Sequence, residues 1–153
     1  KLIIADEPTT ALDVSVQAQV MGVLKTLSRE HETSVILVTH DMGVIAESTD
    51  RVAVMYAGHI VEIGPTDQVL SEPNHPYTKG LLASTPSLER HRDEALYQIP
   101  GAMPRPGSIP VGCPFAPRCE QAMPKCSEAR PALTSLTDER NVACFLNAEE
   151  VAA

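Results

Sequence analysis

Leu2-Ile3-Ile4-Ala5-Asp6-Glu7-Pro8-Thr9-Thr10-Ala11-Leu12-Asp13 joins an unbroken apolar run to two carboxylates and a turn. Four apolar residues without polar alternation predict a short strand covered on both faces. Asp6 and Glu7 then stand at its C-terminal end, and in parallel sheets that edge is where ligands bind. Asp6 is a hard oxygen donor suited to Mg²⁺, reached through a water. Glu7, one residue on and pointing differently, suits a general base that polarises an attacking water. An Asp-Glu-Pro run taken alone is equally a solvated turn, so its surroundings decide.

Outward from this stretch, Val14 to about His31 has helical period. Val16, Val20, Val23, Leu24 and Leu27 share a stripe opposite Lys25, Arg29 and Glu30. Asp13 is placed to cap this helix, its carboxylate accepting from amides of the first turn. Val35-Ile36-Leu37-Val38 predicts a second buried strand, ending in Thr39-His40-Asp41, and Met42 to Ser48 a short helix. Arg51 to Tyr56 and His59 to Ile63 flank Ala57-Gly58 as two strands joined by a tight turn. Alternating strands and helices imply an α/β fold with a parallel sheet and an antiparallel end.

Two acidic-rich strand ends with this spacing resemble the ATP-binding subunits of ABC transporters. Asp6 and Glu7 match the Walker B motif, Thr10-Ala11-Leu12-Asp13 the D-loop (usually Ser-Ala-Leu-Asp) and His40 the switch histidine. The resemblance implies that Asp6 coordinates Mg²⁺ of Mg-ATP and Glu7 is the catalytic base. It implies that His40 touches the γ-phosphate and holds the attacking water, and that Asp13 reaches across a head-to-tail ATPase pair. G-x-x-x-x-G-K-[ST] does not occur, nor do the glutamine loop and Leu-Ser-Gly-Gly-Gln signature. In the family these precede the Walker B strand. The expectation is the C-terminal part of a P-loop ABC ATPase domain, binding ATP weakly or not at all on its own.

Composition divides the chain near residue 65. Of 13 prolines only Pro8 lies earlier, and eight fall between Ile99 and Pro131, too many for regular elements. Residues 1–64 read as ATPase core and 65–153 as a loop-rich, proline-rich, cysteine-containing extension. Asp67 to Ser71 and Tyr77 to Ser84 suit short helices, and Glu149 to Ala153 is expected to fray. His75-Pro76-Tyr77, with Ile99-Pro100-Gly101, Gly112-Cys113-Pro114-Phe115, Pro117-Arg118-Cys119 and Val142-Ala143-Cys144, is similar to the His-Pro-Tyr extension of oligopeptide, dipeptide and nickel importer ATPases. Ala116 stands where that family often has His. Proline forces His75 into an extended conformation, and an exposed His-Pro-Tyr suits a structural or docking role better than a catalytic one.

Cys113, Cys119, Cys126 and Cys144 are spaced C-x5-C-x6-C-x17-C. They read as metal ligands, as two disulfides, or as four unrelated small residues. Disulfides are rare on the cytosolic side where such an ATPase works. Paired C-x2–4-C knuckles of a zinc module are lacking, which favours a [4Fe–4S] cluster held by four thiolates over Zn²⁺. Either would cross-link a segment rich in proline.

The 12 basic against 20 acidic side chains, net −8, argue against a nucleic-acid partner and against a polybasic membrane binder. The longest apolar run, Val52 to Ala57, is far short of the roughly 20 residues of a spanning helix. The expected function is ATP binding and hydrolysis that energises import of peptides, or a related solute, through an ABC transporter. The expected partners are a second ATPase subunit, transmembrane permease subunits and, indirectly, an extracytoplasmic solute-binding protein. The expected location is peripheral, on the cytoplasmic face of the membrane. Alternatives are a non-transport ABC ATPase and a metal-dependent regulatory or docking role for residues 65–153.

Overall fold

The computed structural model describes residues 1–85 and 96–147, and these fall into two compact units that divide between Thr49 and Asp50. The expected fraying of Glu149 to Ala153 lies outside the described residues. The fold is mixed α and β, and no helix among the described residues is long and apolar enough to cross a membrane.

The first unit is built on two parallel strands, β1 (Leu2–Asp6) and β2 (Ser34–Val38), in register from Leu2↔Ser34 to Asp6↔Val38. Helix α1 (Val14–Glu30) connects them, and α2 (Met42–Ser48) follows β2. Asp13 caps α1 through Val16 N–H at 2.9 Å, and Asp41 caps α2 through Gly43 N–H at 2.9 Å and Val44 N–H at 3.2 Å. These carboxylates satisfy amides that the helix leaves without partners. Two packing expectations differ. The strands alternate rather than being covered on both faces: Leu2, Ile4, Ile36 and Val38 share an exposed face, because successive side chains point to opposite sides and nothing among the described residues covers that side. On α1 the buried residue is Met21. Val20, Leu24 and Leu27 are half-buried, and Val16 and Val23 are exposed.

The second unit centres on a four-stranded antiparallel sheet ordered β3-β4-β6-β5: β3 (Arg51–Tyr56), β4 (His59–Pro65), β5 (Thr134–Ser135) and β6 (Asn141–Val142). Ala57 and Gly58 join β3 to β4, both at positive φ (48° and 80°), the handedness a two-residue hairpin turn needs. Helices α3 (Thr66–Ser71) and α4 (Pro76–Ala83) follow.

The proline-rich stretch holds more regular structure than its composition implies. It contains a single 3-10 turn at Ala116–Arg118 and helix α5 (Pro124–Glu128), each with proline in its first turn, where the missing N–H costs nothing. Its cross-links are side chains. Arg118 donates to Ile99 O at 3.1 Å, Pro100 O at 2.7 Å and Tyr56 Oη at 3.3 Å. Tyr56, Tyr77 and Phe115 meet in tilted and edge-to-face contacts with centroids 4.7 to 5.4 Å apart, so three of the few aromatics cluster in the second unit.

Candidate functional site

β1 and β2 end side by side, so the residues just past each strand meet. Glu7 N–H donates to Val38 O at 2.8 Å, extending the ladder by one bond. Glu7 itself sits at φ 48°, a left-handed conformation rare for a residue with a side chain and often stored at functional sites. The bend turns its carboxylate toward the second strand end, where His40 Nδ1 lies 2.8 Å from Glu7 Oε1. A carboxylate donates nothing, so His40 Nδ1 carries the proton and Nε2 is the free ring nitrogen. Thr10 Oγ1 donates to the other carboxylate oxygen, Oε2, at 2.6 Å.

These contacts set the charges. The Thr10 hydroxyl first, then the His40 ring, hold the Glu7 carboxyl below its ordinary value. The Glu7 hydrogen bond and charge raise the His40 imidazole above its usual 6.5. The ring therefore keeps its second proton to higher pH than a free imidazole, and in that charged form Nε2 also donates. A neutral ring with Nδ1 facing Glu7 offers only an acceptor at Nε2, so donation to an anion from this arrangement needs the imidazolium.

Asp6 ends β1, exposed, and its carboxylate makes no hydrogen bond or ion pair among the described residues. An unengaged carboxylate at a strand end fits the oxygen-rich demand of Mg²⁺. Asp13 is occupied at one oxygen, Oδ1, by its capping bond, leaving Oδ2 free. Behind the pair, Gln17 Nε2 on α1 donates to Asp41 Oδ2 at 3.3 Å, and Asp41 N–H donates to Thr39 Oγ1 at 3.1 Å, which pins the segment carrying His40.

The four cysteines converge. Cys113, Cys119, Cys126 and Cys144 line one cavity with His75, Phe115 and Phe145. Cys113 N–H donates to Cys126 O at 2.8 Å, and the strands of chain approach so closely that a Cβ on Gly112 would lie 2.2 Å from Cys126 O. All four thiols are free. Burial pushes Cys113, Cys119 and Cys144 up, toward the protonated thiol. Among the described residues, however, no group of three or more His, Cys, Asp or Glu side chains is placed to hold a metal ion. The expected cluster or Zn²⁺ therefore has a shared cavity but no ready ion site.

His75 is buried, not exposed as the sequence suggested. It has the extended backbone expected before proline, and its Nδ1 caps α4 by accepting from Tyr77 N–H at 3.0 Å. Burial lowers the imidazole to about 4, against a small opposing pull from Glu62. Glu62, fully buried, accepts from Asn74 N–H at 2.9 Å, His75 N–H at 3.0 Å and Arg140 Nη2 at 2.9 Å. Sequence reading passed over Glu62, Arg140, Gln17 and the Thr10 hydroxyl. For Thr10 a signal existed, since a hydroxyl three residues after Glu in a turn can reach back to it. Nothing local marked the Glu62–Arg140 pair.

The paired ends of β1 and β2 thus carry an aspartate, a glutamate and a histidine side by side, followed by a capped helix. Residues 61–126 match the family model described as oligopeptide/dipeptide transporter, C-terminal region. The chain is 51% identical over 150 residues to the oligopeptide transport ATP-binding protein AppD of Bacillus subtilis, covering 98% of this chain and 45% of that protein. It is 50% identical over 145 residues to the dipeptide transport ATP-binding protein DppD of Bacillus subtilis, covering 95% and 43%. It is 48% identical over 150 residues to the oligopeptide transport ATP-binding protein OppD of Haemophilus influenzae, covering 98% and 46%. Over nearly all of its own length the chain is thus similar to oligopeptide and dipeptide transport ATP-binding proteins, and it spans less than half the length of these relatives. Their names favour neither alternative reading.

Proposed function

We propose that this chain is the C-terminal part of an ATP-hydrolysing subunit that energises peptide import through an ABC transporter. Residues 1–64 would serve as the ATPase part and 65–153 as the importer-type extension. The observation that carries the reading is the Glu7 carboxylate held at 2.8 Å from His40 Nδ1 across the ends of two parallel strands. As ATP is hydrolysed, Glu7 accepts a proton from water while the water oxygen bonds to the terminal phosphorus. The bond from phosphorus to the bridging oxygen breaks, and its electron pair leaves with ADP. His40 steadies Glu7 through Nδ1 and, as imidazolium, donates from Nε2 to a phosphate oxygen. Asp6 would hold Mg²⁺, which when bound neutralises charge on the phosphates. Asp13, its Oδ2 free, would face a second ATPase subunit.

Permease subunits would hold the protein peripherally at the cytoplasmic face, with an extracytoplasmic binding protein delivering the solute. Transport ATP-binding proteins for oligopeptides and dipeptides among the relatives support a peptide as that solute. The test is Glu7→Gln in the complete subunit assembled with its transporter. ATP binding is expected to persist while turnover falls about 100- to 10,000-fold. Wild-type turnover would remove Glu7 as the base.

For Cys113, Cys119, Cys126 and Cys144 we propose a [4Fe–4S] cluster, with Zn²⁺ the alternative, as a structural staple. The shared cavity and free thiols support it. Ligation requires the thiols to lose their protons, which burial opposes at Cys113, Cys119 and Cys144, and to move together. Iron, sulfide and zinc assays after anaerobic purification decide it. Four free thiols with none of the three would overturn the proposal.

A further inference from the structure

We propose that Thr10 is a positioning residue for Glu7, its hydroxyl fixing the carboxylate that takes the proton from water. The inference rests on the reading of Glu7 as the base. Thr10 N–H donates to Glu7 O at 3.2 Å, closing a turn that lays Thr10 back over Glu7. Its Oγ1 then donates to Glu7 Oε2 at 2.6 Å, while His40 Nδ1 sits 2.8 Å from Oε1. The glutamate is thereby held at both carboxylate oxygens, from two different segments of chain. A glutamate side chain has several rotatable bonds, and a half-exposed one held at a single point sweeps a wide arc. The second hold removes that rotation. Each oxygen keeps a further lone pair, so a water can still be accepted from. The β-branch of threonine restricts its own rotor, which aims the hydroxyl better than an unbranched side chain would.

The hold is of the kind that bears on rate rather than on nucleotide affinity, because small misplacements of a catalytic group are costly in the chemical step. The experiment compares Thr10→Val, Thr10→Ser and Glu7→Gln in the complete subunit assembled with its transporter, with Mg-ATP as the probe. Thr10→Val keeps shape and turn amide and removes the hydroxyl. Its kcat is expected to fall about 10- to 100-fold with KM for ATP within about two-fold, and Thr10→Ser is expected to restore most of kcat. If circular dichroism shows Thr10→Val unfolded, Thr10→Ala is read in its place. An unchanged kcat, a raised KM at constant kcat, or a serine variant as slow as the valine variant would each overturn the inference. Wild-type turnover of Glu7→Gln would instead overturn the base assignment, so the two failures are distinguishable.

Discussion

Glu62→Gln keeps the shape of a buried side chain and removes its charge. Glu62 is fully buried and accepts from Asn74 N–H, His75 N–H and Arg140 Nη2, all within 3.0 Å. Asn74 and Arg140 share Oε1, while His75 uses Oε2. The amide of glutamine has one acceptor oxygen. Turned toward Asn74 and Arg140, it sets its NH₂ against His75 N–H, donor to donor. One buried amide is then unsatisfied, a loss of about 1–3 kcal/mol. Arg140, only 6% exposed, also loses its counter-ion. Breaking one side of a buried ion pair costs about 3–5 kcal/mol, and that is the expected total. Urea unfolding followed by far-UV circular dichroism reads it, since the chain has no Trp. The double variant Glu62→Met, Arg140→Met sharpens the test. For an isolated pair such a swap is near neutral. Here two backbone amides lose their acceptor, so a loss of about 2 kcal/mol or more should remain. A loss below about 1 kcal/mol for Glu62→Gln would refute the view that this carboxylate organises the approach to α4.

Three further outcomes follow from the same geometry. His40 should titrate above 6.5 by NMR and return toward 6.5 in Glu7→Gln. Because His40 is raised and Glu7 lowered, their pair should be strongest between about 4.5 and 6.5, weakening as pH rises through the His40 value or falls through the Glu7 value. His75 is depressed from 6.5 to about 4, so unfolding takes up a proton below 6.5. Its contribution is full above pH 6.5, and about 3 kcal/mol is lost as pH falls through about 4. His75→Asn, which keeps a capping oxygen, should flatten that acid dependence, and an unchanged slope would refute the burial argument. Asp13→Ala should destabilise the first unit by about 1 kcal/mol while Asp13→Asn costs a few tenths. Equal losses in the two would show that the capping bond to Val16 is not what Asp13 contributes.

Most elements could be read from the residue order because their causes are local. Asp13 announces a helix start and Ala57-Gly58 a hairpin, whereas the Asp41 cap and the short helix opening at Pro124 emerge only in the structure. The bringing together of Glu7 and His40 was also accessible, since two parallel strands of equal length place their ends together. The burial of His75 was not. A His-Pro-Tyr looks exposed until Tyr77 is seen packed on Tyr56 and Phe115, partners that lie far away in the chain. The prolines misled in a similar way, for they discourage regular structure in general yet fit the first turn of a helix well.

The order of residues alone carried the acidic pair, the histidine, the capped helix and the family to which they point, because each is a short-range pattern of chemistry. Tertiary structure decided which groups finish one another. Arg140 meets Glu62 across 78 positions, Arg118 meets Tyr56 across 62, and Gly112 lets Cys113 come against Cys126. Such partners are chosen when loops close and a buried charge or amide must find whatever completes it, a condition that no local stretch of sequence contains.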